Sequence, residues 1–169
     1  AIQDVSVNED AIPTVISLVN VFADVESDTL SLSVLSNDTN LVTAAIDGTS
    51  LTLTYLSNAN GNTTIVVTAT ETNTDPALSI SDTFAVTIAA INDSPTVSNA
   101  ILDVTVDEDA TPSIIDISNV FADIETNNLS YSVLSNDINL VTAAIEGTTI
   151  TLTYLANANG NTTIVVTAT

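Results

Sequence analysis

Apolar and polar residues alternate along this chain in short stretches. The stretches recur every 8–12 residues or so, which is the spacing of a β-sandwich. Residues 2–7 alternate, and a longer apolar run over 12–22 follows Asn8-Glu9-Asp10. Leu30, Leu32 and Val34 alternate with Ser31 and Ser33. A run over 41–46 closes on Asp47-Gly48, a turn dipeptide. Leu51, Leu53 and Tyr55 alternate with Thr52 and Thr54, the cleanest period-two stretch of the chain. Asn58-Ala59-Asn60-Gly61-Asn62 reads as a turn, because Asn and Gly tolerate positive φ, and residues 63–69 resume the strand pattern. After a loop at 72–76, Phe84, Val86 and Ile88 alternate with Thr83, Ala85 and Thr87. These stretches predict seven strands, and no stretch carries a sustained helical period.

The pattern then starts again. Residues 1–70 realign on 100–169 without gaps at an offset of about 99, and roughly 51 of the 70 aligned positions are identical. Each copy carries Val-Phe-Ala-Asp-x-Glu, at 21–26 and at 120–125, and Ile91-Asn92-Asp93-Ser94-Pro95 lies between them. Two domains are therefore expected, 1–94 and 95–169. A unit of about 100 residues can bury a core of its own. The second unit repeats the first six strands and reaches Thr169 where the loop before the seventh should begin. A sandwich without its last strand exposes an edge and part of its core. The boundary of a longer repeat array explains this most simply, and the sequence reads as a segment of a longer protein. A donor strand from a neighbouring chain is the other reading, but unit one uses residues 78–91 itself and no spare strand is visible.

Composition narrows the function. Hydrophobic residues make up 45% of the chain, which argues against disorder, and abundant Thr and Ser beside Val, Ile and Leu suit a pleated surface. There are 21 acidic residues and no Lys, Arg or His, for a net charge of -21. With no cation to neutralise phosphate, nucleic acid and anionic membrane surfaces are excluded as partners. No apolar run is long enough to insert through a bilayer as a helix. The mutual repulsion must be screened by salt or neutralised by bound cations. There is no Cys, so no disulfide stabilises the chain. Without His, Cys or Lys, no base activates a Ser or Thr nucleophile, and zinc lacks its usual ligands. Paired carboxylates can hydrolyse glycosides, but three Tyr, three Phe and no Trp offer little to stack on a sugar. No Gly-rich phosphate loop is present. An enzyme is not expected.

Hard-cation binding fits the residues better. Calcium takes six to eight oxygen ligands or so, several of them carboxylates. Asp24, Glu26 and Asp28 stand at i, i+2 and i+4 just after the second strand. Asp123 and Glu125 repeat this in the second unit, with Asn127 in third place, and Asn8-Glu9-Asp10 and Asp107-Glu108-Asp109 add further oxygens. Each cluster alone is equally a solvated turn. Recurrence in both units, and the lack of any balancing cation, favour calcium. Tyr55 and Tyr154 read as packing residues, and Phe22 and Phe121 as plugs of the sandwich end.

Val7-Asn8-Glu9-Asp10, Val21-Phe22-Ala23-Asp24-Val25-Glu26-Ser27-Asp28, Val67-Thr68-Ala69-Thr70-Glu71 and the Ile91-Asn92-Asp93-Ser94-Pro95 linker occur in an order that resembles the bacterial cadherin-like repeats, including the dystroglycan-type tandem repeats of large surface adhesins. The resemblance covers essentially the whole chain. It implies an all-β protein of tandem Ig-like, cadherin-like Greek-key β-sandwiches of about seven strands, the second lacking its last. It implies Ca²⁺ at the joint, rigidifying an extracellular rod at the cell surface. By position the joint ligands would be Glu9 and Asp10, Asn92 through its backbone oxygen, Asp93, Asp123 and Glu125. Asp24, Glu26, Asp28 and Glu71 would form the matching half-site at the top of the first repeat. The linker departs from animal cadherins: it is shorter, it has Ala90 where they place an acidic residue, and their second acidic motif has no match. Fewer carboxylates imply fewer or weaker ions, in the class of about 10⁻⁴–10⁻³ M. The partners implied are further copies of the repeat, in the same or neighbouring chains. A homopolymeric fibre is the alternative role. A carbohydrate-binding module taking cell-surface or matrix polysaccharide is a third, disfavoured by the scarcity of aromatics.

Overall fold

The computed structural model of the chain describes every residue except 27, 28, 73–75, 126 and 127. The described residues form an all-β protein of two units, Ala1–Ile91 and Asn92–Thr169. The division falls three residues before the expected boundary, for a local reason. The Asp93 N–H donates to Glu125 at 3.1 Å, and Thr96–Val97 pairs with Phe121–Ala122, so the linker residues belong to the second unit.

The first unit contains β1 (Val5–Asn8), β2 (Thr14–Ser17), β3 (Leu30–Ser36), β4 (Val42–Asp47), β5 (Ser50–Tyr55), β6 (Gly61–Glu71) and β7 (Ser79–Ala89). One sheet has the order β1-β7-β6-β3 and the other β2-β5-β4. All neighbours are antiparallel except β1 and β7, which run parallel with Val5 opposite Val86 and Val7 opposite Ile88. Because side chains alternate between faces, each strand sends every second residue inward. Leu51 and Leu53 of β5 meet Ile65 and Val67 of β6 and Phe84 and Val86 of β7 in one core, all essentially removed from water. Burial of each such side chain contributes roughly 1.5–3 kcal/mol. The seven strands lie where the alternation predicts them. The second is much shorter than its apolar run, because Pro13 has no N–H to give a ladder and Asn20 turns the chain at φ +61°. At the β4–β5 hairpin Gly48 takes φ +58° at the first of two loop residues, which a type II′ turn requires and which matches the strand twist.

The second unit contains β8 (Thr96–Val97), β9 (Ser113–Asp116), β10 (Phe121–Ala122), β11 (Tyr131–Ser135), β12 (Val141–Glu146), β13 (Thr149–Tyr154) and β14 (Ile164–Ala168). The order β12-β13-β9 repeats β4-β5-β2, and β11-β14 repeats β3-β6. Its core holds Ile117, Val120, Val141, Ile150 and Leu152. One expected strand is missing: residues 101–107 adopt no strand. The cause is visible in the first unit, where, among the described residues, β1 is an edge strand paired with β7 alone. Among the described residues no strand lies beside 101–107 as β7 lies beside β1, so this stretch has no ladder to join. The loss carries into the core. Ile65 and Val67 are completely buried, whereas their counterparts Ile164 and Val166 are only half-buried.

Candidate functional site

The acidic residues that follow β1 are held by backbone amides. Glu9 is 6% exposed. Its N–H donates to the Ala89 carbonyl at 2.9 Å, and its Oε1 accepts the Ile91 N–H at 2.6 Å. This carboxylate therefore caps the chain as it leaves β7. Asp10 sits in the left-handed region at φ +58°, a conformation that Asp tolerates, and its Oδ1 accepts the Asn58 N–H at 3.1 Å. The second unit repeats this clip: Asp109 has φ +62° and accepts the Asn157 N–H at 2.8 Å. Glu108, in contrast, is exposed, because no strand end lies beside it to be capped.

Of the expected half-site of the first unit, Asp24, Glu26 and Glu71 are among the described residues. Asp24 is half-buried and Glu26 is exposed. Glu71 ends β6, and its Oε2 accepts the Leu78 N–H at 3.0 Å just before β7 begins. Asp28 and Asn127 lie outside the described residues.

The linker residues and the 120–125 segment do come together. Glu125 Oε2 accepts the Asp93 N–H at 3.1 Å, and the Glu125 N–H donates to Asp123 Oδ1 at 3.2 Å. Asn92 is exposed, and its Nδ2 donates to the Asp93 carbonyl at 2.6 Å. Asp93 Oδ2 is buried and has no hydrogen-bond partner. Three acidic residues are thus linked at one corner of the second unit, and one of their oxygens is withdrawn from water without a donor. The donor chemistry, carboxylate and carbonyl oxygen only, suits a hard cation such as calcium. The geometry is partial: among the described residues no three acidic side chains converge into a group that could hold a metal ion. Glu9 and Asp10 belong to the first unit and these residues to the second.

Two further carboxylates have structural work that the sequence does not announce. Asp4 Oδ1 accepts the Ala85 N–H at 2.8 Å, and Asp82 Oδ2 accepts the Ile2 N–H at 2.5 Å. The pair fastens the segment entering β1 to β7 from both sides. An Asp beside a strand carries no sign of this in the sequence, because its partner amides lie about 80 positions away. The tyrosines pack as expected. Tyr55 is buried with its hydroxyl 2.6 Å from Thr14 Oγ1, and Tyr154 reaches Ser113 Oγ at 2.7 Å. Phe22 packs against the first core, and Phe121 meets Tyr131 at a tilt of 38° with ring centroids 5.9 Å apart. Compared with known proteins, the chain matches no family model and no curated protein.

Proposed function

We propose that this chain is a calcium-binding structural segment of an extracellular surface rod, built from tandem β-sandwich units of the cadherin-like kind that its sequence resembles. The observation that carries the reading is Asp93 Oδ2, buried without a donor in a residue whose own N–H donates to the Glu125 carboxylate. A buried carboxylate oxygen left without a partner costs about 1–3 kcal/mol or more. The chain has no Lys, Arg or His to offset it, so a cation from solution is the natural partner. Asp93, Asp123 and Glu125 would hold the ion, with water completing the shell, and its charge would relieve the repulsion within a chain of net charge -21. The repeated unit and the absence of nucleophile–base pairs support a mechanical role over a chemical one. Calorimetric titration of the chain with calcium tests the site. Saturable binding with a Kd of about 10⁻⁴–10⁻³ M, weakened at least about tenfold by Asp93→Asn, is the expected result. Equal binding by the parent and by Asp93→Asn would place calcium elsewhere.

A further inference from the structure

The four-stranded sheet of the first unit ends on β3, and among the described residues no strand pairs with its far side. The ladder to β6 fixes which groups are left over. The Thr72 N–H donates to the Thr29 carbonyl at 2.8 Å, and the Asn37 N–H donates to the Thr64 carbonyl at 3.1 Å. Antiparallel bonding alternates, so residues 31, 33 and 35 bond to β6 as well. The N–H and C=O groups of Leu30, Leu32, Val34 and Ser36 therefore point away from the sheet. The second unit repeats the arrangement. Ser130 exchanges both bonds with Thr169, and the Asn136 N–H donates to the Thr163 carbonyl, so Tyr131 and Val133 of β11 present their main-chain groups in the same way.

This edge lacks the devices that keep edges apart. Proteins blunt an exposed edge by making it short or by placing a charge, a Pro or a bulge on it. The other edges of the first unit follow that rule. β1 and β2 have four residues each, Pro13 precedes β2, and β4 ends on Asp47. β3 instead runs over seven residues, Leu-Ser-Leu-Ser-Val-Leu-Ser, in an unbroken register with neither charge nor Pro. In a chain with 21 acidic residues, it is a strand along which two copies can meet without setting carboxylate against carboxylate.

We propose that β3 is a self-association edge, and that its occupant is β3 of a second copy, paired antiparallel about a two-fold axis at Ser33. The strand is its own complement. Its residues alternate between half-buried and exposed, so pairing about Ser33 sets Leu32 beside Val34 of the copy on the inner face and Ser33 beside Ser33 of the copy on the outer face. In that register Leu30, Leu32, Val34 and Ser36 exchange about eight main-chain hydrogen bonds with the copy, close to the ten or so of a typical protein interface. The edge is already free in the folded chain, so no strand has to be released. β11 offers the same contact a second time, which lets copies join in rows. The net charge of -21 on each copy opposes the contact, so it strengthens with salt. The inference stands apart from calcium.

Sedimentation velocity and amide exchange of the full chain over a range of concentrations, in about 0.5 M sodium chloride to screen the repulsion, test it. The mean mass should rise with concentration. The amides of Leu30, Leu32, Val34 and Ser36 should gain protection in step, while those of Ser31 and Ser33, already bonded to β6, should not change. Ser33 meets Ser33 of the copy as a non-hydrogen-bonded pair, in which side chains lie closest. Ser33→Glu combined with Ser132→Glu should therefore weaken association about fivefold by like-charge repulsion, and so should Ser33→Lys combined with Ser132→Lys. An equal mixture of the two variants should restore it. Both positions are exposed, so the fold accommodates either side chain. A mean mass that stays at one chain over the whole range would overturn the proposal. So would association that neither variant weakens, or that the mixture does not restore.

Discussion

Glu9 Oε1 accepts the Ile91 N–H at 2.6 Å, so a carboxylate at the end of the first strand fixes the chain just after the last one. The two residues lie 82 positions apart, and the Glu9 side chain is buried to make the bond. A carboxylate that accepts a backbone amide forms a charge-assisted bond, stronger than a neutral one. The bond joins the beginning and the end of the first sandwich.

Glu9→Ala should therefore destabilise the first unit by about 1–3 kcal/mol, because it leaves an amide without its acceptor. Glu108→Ala, at the same position of the second unit, should change stability by less than about 0.5 kcal/mol, since Glu108 is exposed. Urea denaturation followed by amide exchange separates the two units.

Asp10 combines an acceptor role with a left-handed backbone. Asp10→Asn keeps a side-chain oxygen and tolerates positive φ, so its cost should be under about 0.5 kcal/mol. Asp10→Ala loses both features and should cost about 1–3 kcal/mol. Since the Asp10 carboxylate is engaged with Asn58, Asp10→Asn should leave calcium affinity unchanged in a calorimetric titration.

Phe84 is 2% exposed and sits where both sheets of the first unit meet. Phe84→Ala should cost about 3–5 kcal/mol, enough to unfold a marginal unit. Leu35→Ala, on an outward-facing side chain that is 60% exposed, should cost less than about 0.5 kcal/mol. Thermal unfolding of the two variants should separate them by tens of degrees or show no folded first unit for Phe84→Ala.

The seven strands of the first unit were legible because alternation directly reports a half-buried sheet. Leu51, Leu53 and Tyr55 alternate with Thr52 and Thr54, and those three do face the core. The alternation at 101–107 is as clear, yet no strand forms there, because pairing needs a neighbour and local pattern supplies none. The β8–β10 pair has two residues on each side, too short to show a period. Asp123 and Glu125 recur at the places of Asp24 and Glu26, whereas Asp93 lies outside the repeated stretches and its bond to Glu125 has no sign in the spacing. Glu9 was harder to read. A Glu between Asn and Asp looks like a solvated turn, and only the return of β7 beside β1 makes it a buried cap. Asp10 and Asp4 are engaged with amides 48 and 81 positions away, contacts that sequence spacing does not display.

Thermal unfolding at fixed ionic strength, with several millimolar calcium, with the same magnesium and with chelator, tests the calcium-binding rod most directly. A ligand bound only by the folded state raises stability by RT ln(1 + [L]/Kd), about 1–2 kcal/mol here for one site of the stated affinity. The account predicts a calcium-specific rise of roughly 4–16 °C that Asp93→Asn removes. No rise, or an equal rise with magnesium, would contradict it and leave the carboxylates as an acidic surface held by backbone amides.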